Sequence, residues 1–159
     1  MTIKVGDHLP EAIFSKVTPE GPEPASTADF FKGRRVALFA VPGAFTPTCS
    51  ARHLPGYVER AAELKAKGVD EIACTSVNDP FVMSAWAKAG NAGEITMLAD
   101  GNGTFAKAAG LSFDSSRFGM GERRQRYAMI VNDGVVEQLH VEAPGEFKVS
   151  SADYLIDQL

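Results

Sequence analysis

Residues Arg35–His53 read RVALFAVPGAFTPTCSARH. The run from Arg35 to Val41 is apolar, of strand length, and bounded by charge on one side and Pro42-Gly43 on the other. Continuous rather than alternating hydrophobicity predicts a strand buried on both faces, as in a sheet covered by helices on two sides. A cysteine kept for packing belongs inside such a run. Cys49 stands past the end of this one, where open α/β sheets gather their functional groups.

Working outward, Leu54, Tyr57, Val58, Ala61 and Leu64 recur at helical spacing, so Ser50 to Lys67 reads as one helix closed by Gly68. Glu71 to Val77 and "ITMLAD" are further strands. Pro80 to Lys88 is a helix with Asp79 as N-cap and Pro80 in the first helical position. "TFAKAAG" gives a short helix, and Ala28 to Phe31 a helical turn. Tyr127–Asn132 and Val135–Val141 flank Asp133-Gly134, the pattern of a hairpin with a type I′ turn. "SSADYLIDQL" ends the chain as a capped helix, and the Pro- and Gly-punctuated residues up to Lys32 read as loops with short strands. Alternating strands and helices followed by an antiparallel hairpin predict an α/β fold, a mixed central sheet flanked by helices. Residues 1–159 are expected to form a single domain.

The formal net charge of −4 argues against a nucleic-acid or anionic-membrane partner. No apolar run approaches the roughly 20 residues of a membrane span, and "MTIKVGDHLP" does not read as a secretory signal. With two cysteines in 159 residues, a reducing cytoplasm is the expected location, with free thiols rather than a disulfide framework.

Cys49 falls in or beside the first turn of the following helix, where unpaired N–H groups and the positive dipole end favour an anion such as a thiolate. Thr46 or Thr48 can cap that helix, Thr46 can donate toward sulfur, and Pro42 and Pro47 stiffen the loop. Period-two alternation puts Arg124, Arg126, Ala128 and Ile130 on one strand face. A guanidinium there would stabilise thiolate and leaving oxygen alike, but the pattern does not choose between Arg124 and Arg126. His53 lies one helical turn beyond Cys49.

"Pro42-Gly-Ala-Phe-Thr46-Pro-Thr-Cys49" fits the Pro-x-x-x-Thr-x-x-Cys motif of peroxiredoxins, and "VPGAFTPTCSARHLPGY" resembles their type II, peroxiredoxin-five group. "SVNDPFVMSAWAK", "LADGNGTFAKAAGL", "RRQRYAMIVNDG" and "GEFKVSSADYLIDQL" are similar to that group in the same order, so the likeness covers nearly the whole chain. The resemblance implies a thioredoxin-like fold and a thiol peroxidase acting on hydrogen peroxide and small organic hydroperoxides without a cofactor or metal. Cys49 would become a sulfenic acid, Thr46 would hold sulfur and peroxide, Pro42 would shield the site, and the matching arginine is Arg126. His53 would sit nearby in a secondary role. Phe45, Phe118 and Gly121 would border the pocket mouth, and "DPFVMSAW" a homodimer contact. Glutaredoxin with glutathione, or thioredoxin, would return Cys49 to the thiol.

Cys74 shares a strand face with Ile72 and Ser76 and reads as a core thiol, with a resolving role suggested only by analogy with plant type II relatives. About three residues before the strand end, it would lie roughly 10 Å below the rim, too far for a disulfide unless the helix start unwinds. Pro55, which has no N–H for Ala51, weakens that start. Three rivals stand beside this reading. One is a dinucleotide site at Gly101-Asn-Gly103-Thr-Phe-Ala106, with Glu122 on the ribose. Another is a zinc site at Cys49, His53 and Cys74, for which the spacing is poor. The third is a non-catalytic or redox-sensing binding module on a thioredoxin-like scaffold.

Overall fold

The computed structural model describes residues 2–159. Beside the middle strand of its sheet lies β3 (Arg35–Ala40). Val36, Leu38 and Ala40 enter one apolar core and Ala37, Phe39 and Val41 the other, all fully buried. That is why the run has no polar alternation. To one side β3 pairs parallel with β4 (Glu71–Ser76), which pairs parallel with β5 (Thr96–Ala99). To the other it pairs antiparallel with β8 (Tyr127–Asn132), which continues antiparallel into β9 (Val135–Val141). The hairpin of β1 (Ile13–Thr18) and β2 (Gly21–Ser26) adds to β5 and completes the order β2-β1-β5-β4-β3-β8-β9. The mixed seven-stranded sheet with helices on both faces is the thioredoxin-like architecture.

One face is covered by α2 (Leu54–Glu59), α3 (Ala61–Ala66), α4 (Pro80–Ala89) and α6 (Ala152–Asp157) through Leu54, Tyr57, Leu64, Met83, Trp86 and Leu155. The other is covered by α1 (Thr27–Phe31) and α5 (Thr104–Ala108) through Phe30, Phe31 and Phe105. Ser26, Asp79 and Ser151 cap α1, α4 and α6 by accepting from Asp29, Val82 and Tyr154 N–H groups. Asp133 (φ 50°) and Gly134 (φ 80°) make the left-handed turn between β8 and β9.

Two expectations are corrected. The helix read as continuous from Ser50 to Lys67 is three pieces: a π-turn at Cys49–His53, then α2, then α3 after a break at Arg60 (φ −108°, ψ 16°). A small second sheet, β6 (Ser112–Asp114) against β7 (Glu122–Arg124), also stands where no separate sheet was anticipated.

Candidate active site

The topology brings two distant segments to one sheet edge. Cys49 follows the C-terminal end of β3, and Arg126 precedes the N-terminal end of antiparallel β8, so both lie at the same end. In the π-turn the Leu54 N–H bonds Cys49 O. Pro55 has no N–H to donate to Ala51, and the wide turn is the form the backbone takes there; such turns mark functional sites. Neither threonine caps the turn as anticipated. Thr48 makes no side-chain cap bond, and Thr46 Oγ1 donates to Gly43 O at 2.7 Å. The tie to the scaffold comes from α4 instead, where Trp86 Nε1 donates to Ser50 Oγ at 3.0 Å.

Cys49 is fully buried. Arg126 Nη2 donates to its Sγ at 3.1 Å, and Arg126 Nη1 lies 2.8 Å from His53 Nδ1. His53 Nε2 is 2.9 Å from Ser150 O. A carbonyl only accepts and a guanidinium only donates, so the hydrogen sits on Nε2 and Nδ1 is the acceptor. Burial, with the Arg126 charge adding to it, lowers the His53 pKa to about 3, against the opposing effect of the Ser150 bond. The ring is walled by Phe39, Tyr57 and Phe147 at centroid distances of 5.0, 5.6 and 5.0 Å. His53 is therefore neutral and holds the guanidinium in place.

Arg124 borders the same pocket as Arg126 but bonds a different set of partners. It is fully buried, bonded to Asp100 and, at 3.3 Å, to the Tyr127 hydroxyl. Between β7 and β8 the chain is not a strand, and Gln125 N–H turns to Leu111 O, so period two does not run from 124 to 126. Asp100 also disposes of the dinucleotide reading. Its carboxylate accepts the Phe105 and Ala106 N–H groups of the short α5 at 3.1 and 3.0 Å, filling the place a phosphate would take.

Cys74 is a buried thiol in β4, opposite Phe39 and Met97, in the same apolar cluster as Cys49. Burial pushes its pKa well up, the nearby Cys49 adds to this, and Arg124 and Arg126 pull the other way. Neither cysteine is paired. Among the described residues no three His, Cys, Asp or Glu side chains gather as metal ligands.

A pocket of about 500 Å³ opens over this edge, lined by Pro42, Thr46, Thr48 and Arg126 and by apolar Pro47, Phe113, Phe118, Met120 and Pro144. Phe118 is thus a wall, whereas Phe45, Gly121 and His53 are not. Phe45 is held in the left-handed region (φ 64°) and is 53% exposed. Gly121 instead braces the loop carrying Phe118, its carbonyl accepting from Ser115 N at 2.7 Å. Sequence reasoning missed the loop 142–150, which supplies Ser150, Phe147 and part of the pocket wall. Its sequence cues were a Pro144-Gly145 turn and the family-like string that starts at Gly145, neither of which pointed to the site.

A thioredoxin-like sheet that presents a cysteine sulfur to a guanidinium at a strand end, beneath a pocket, defines a thiol-redox protein. The model of the Redoxin family matches residues 4–156. Peroxiredoxin-2B of Arabidopsis thaliana is 46% identical over 99% of this chain and 98% of its own length. Chloroplastic peroxiredoxin-2E-2 of Oryza sativa is 48% identical over 99% of this chain and 73% of its own. The crystal structure of reduced Prx3 from Vibrio vulnificus in complex with hydrogen peroxide superposes with a TM-score of 0.96 at 55% identity, covering 99% of each chain. The chain belongs to the Redoxin family and, within it, to the peroxiredoxins, enzymes that reduce peroxides at the expense of thiols.

Proposed function

We propose that Cys49 is the sulfur that reduces hydrogen peroxide and small organic hydroperoxides. The observation that carries this reading is the Arg126 guanidinium, which lines the pocket and donates to Cys49 Sγ at 3.1 Å. The thiolate attacks the terminal peroxide oxygen, the S–O bond forms and the O–O bond breaks. Cys49 becomes a sulfenic acid, and the departing alkoxide or hydroxide takes a proton from water. The guanidinium neutralises charge on sulfur at the start and on the leaving oxygen at the end. Thr46 has committed its proton to Gly43 O, so its lone pairs are left to accept the O–H of an incoming peroxide. Pro42 shields the sulfenic acid, and the apolar walls Phe113, Phe118 and Met120 suit organic hydroperoxides.

In the second half-cycle glutaredoxin with glutathione, or thioredoxin, attacks the oxidised Cys49 directly. The burial of Cys74 within β4 and the upward push on its pKa support this route over an internal disulfide. The chain works as one domain, in the cytoplasm, as a homodimer. The 70% exposed Phe81, beside buried Met83 and Trp86, supports a contact through α4. No described helix is long and apolar enough to cross a membrane.

Peroxide consumption coupled to each reductant tests the scheme. Cys49→Ser is expected to abolish turnover, and Cys74→Ser to retain it with glutaredoxin. Full activity of Cys49→Ser refutes the assignment and favours a non-catalytic module; loss of activity in Cys74→Ser moves the resolving step inside the chain.

A further inference from the structure

Glu142 lines the pocket beside Arg126 and hydrogen-bonds neither sulfur nor guanidinium; its carboxylate instead organises the loop that meets them. Lys148 N–H donates to Oε1 and Oε2 at 2.9 and 2.8 Å. On Oε2 converge Val149 N–H at 2.9 Å, Ser150 N–H at 2.8 Å and the Ser150 hydroxyl at 2.6 Å. Three successive backbone N–H groups around one carboxylate form an anion-binding nest, here filled by the chain's own side chain. Burial, the largest influence, pushes the Glu142 pKa up, but the bonds from Ser150, Lys148 and Val149 outweigh it and hold the group ionised. The backbone of the same residue is tied to the site, its N–H donating to Arg126 O at 2.9 Å. Glu142 therefore fixes the loop at two points, Arg126 at one end and Ser150 at the other.

The Ser150 carbonyl accepts from His53 Nε2 and, at 2.8 Å, from the Tyr57 hydroxyl. Its position decides which His53 nitrogen carries hydrogen. With the carbonyl in place, Nδ1 presents a lone pair to Arg126. With the other tautomer, an N–H would face the guanidinium, and two donors cannot bond. We propose that Glu142 is a positioning residue for the peroxide reaction, holding the Ser150 carbonyl so that His53 accepts from one arm of Arg126 and directs the other arm at Cys49 Sγ. The inference rests on the roles assigned above to Cys49 and Arg126.

The test is a double-mutant cycle in the full chain with hydrogen peroxide, read by the second-order rate of Cys49 oxidation and by the ¹⁵N signature of the His53 ring. Arg126→Lys is expected to slow oxidation about 100-fold, the scale of losing one aligned donor. Glu142→Gln is expected to slow it about 10-fold and to lose the single Nε2–H tautomer. Because it acts through Arg126, the double variant should be no more than about twofold slower than Arg126→Lys alone. A Glu142→Gln protein that melts earlier but keeps its rate within twofold and its tautomer is merely less stable, and the proposal falls; it falls equally if the two losses multiply. If Arg126→Lys itself leaves the rate unchanged, the earlier assignment of Arg126 is what fails. Should Glu142→Gln not fold, Ser150→Ala decides. It deletes the hydroxyl bond and keeps the carbonyl, with an expected slowing of about threefold and the same ring signature disturbed; an unchanged rate and tautomer overturn the proposal.

Discussion

Replacing His53 with glutamine should flatten the acid side of the stability profile. His53 is buried as a neutral ring, with a pKa of about 3 against an ordinary 6.5. The unfolded chain takes up its proton as pH falls through 6.5, while the folded chain resists until about 3. Between those values the unfolded state binds more protons, so the contribution is complete above 6.5 and is lost as pH falls toward 3. The slope is about 1.4 kcal/mol per pH unit within the window, which integrates to about 2.5 kcal/mol between pH 7 and pH 4.5. With a urea dependence of about 2 kcal/mol per molar, the midpoint should drop by about 1.2 M on this account. His53→Gln keeps a donor for Ser150 O but has nothing to titrate, so its midpoint should fall by that much less over the same pH interval. Carboxylates that begin to take up protons at the acid end of this interval act in both proteins and cancel. Equal pH-dependent shifts in the two proteins would refute the neutral, buried imidazole and with it the hydrogen-bond directions assigned around Arg126.

Asp100→Ala leaves the Arg124 guanidinium buried without its carboxylate and uncaps α5; a loss of about 3–5 kcal/mol in denaturant melts is expected. Trp86→Phe keeps the ring packing but deletes the N–H to Ser50. Its cost of about 1 kcal/mol should appear as roughly fivefold faster amide exchange in the Cys49 turn, while exchange in β3 stays the same. Phe118→Ala removes an apolar wall of the pocket. It should lower the rate with an aryl hydroperoxide about fivefold relative to hydrogen peroxide in stopped-flow comparison.

Elements whose physics is local were legible in the chain. β3 declared itself because both its faces are apolar, α4 and α6 because a capping side chain precedes each, and the β8–β9 turn because Asp-Gly suits left-handed dihedrals. What failed depended on partners far along the chain. Helical spacing through Leu64 concealed the π-turn and the break at Arg60, since the apolar face stays in phase across both. The alternation that equated Arg124 with Arg126 assumed an unbroken strand, whereas Gln125 is drawn to Leu111 O. Only the family resemblance pointed to Arg126. Ser150 lay within a family-like string but with no sign of its role, and Glu142 in none, because their partnership is made by the path of a loop.

The antiparallel pairing of β3 with β8 has a bearing on how the enzyme is born. Cys49 and Arg126 are separated by 77 positions. At ribosomal speed the cysteine emerges on the order of ten seconds before its cation does. On the roles proposed for the two residues, a nascent chain would carry the sulfur without the group that activates it toward peroxide. The chemistry would then begin only once β8 has paired with β3, and the order of synthesis would itself limit oxidation of a half-made molecule.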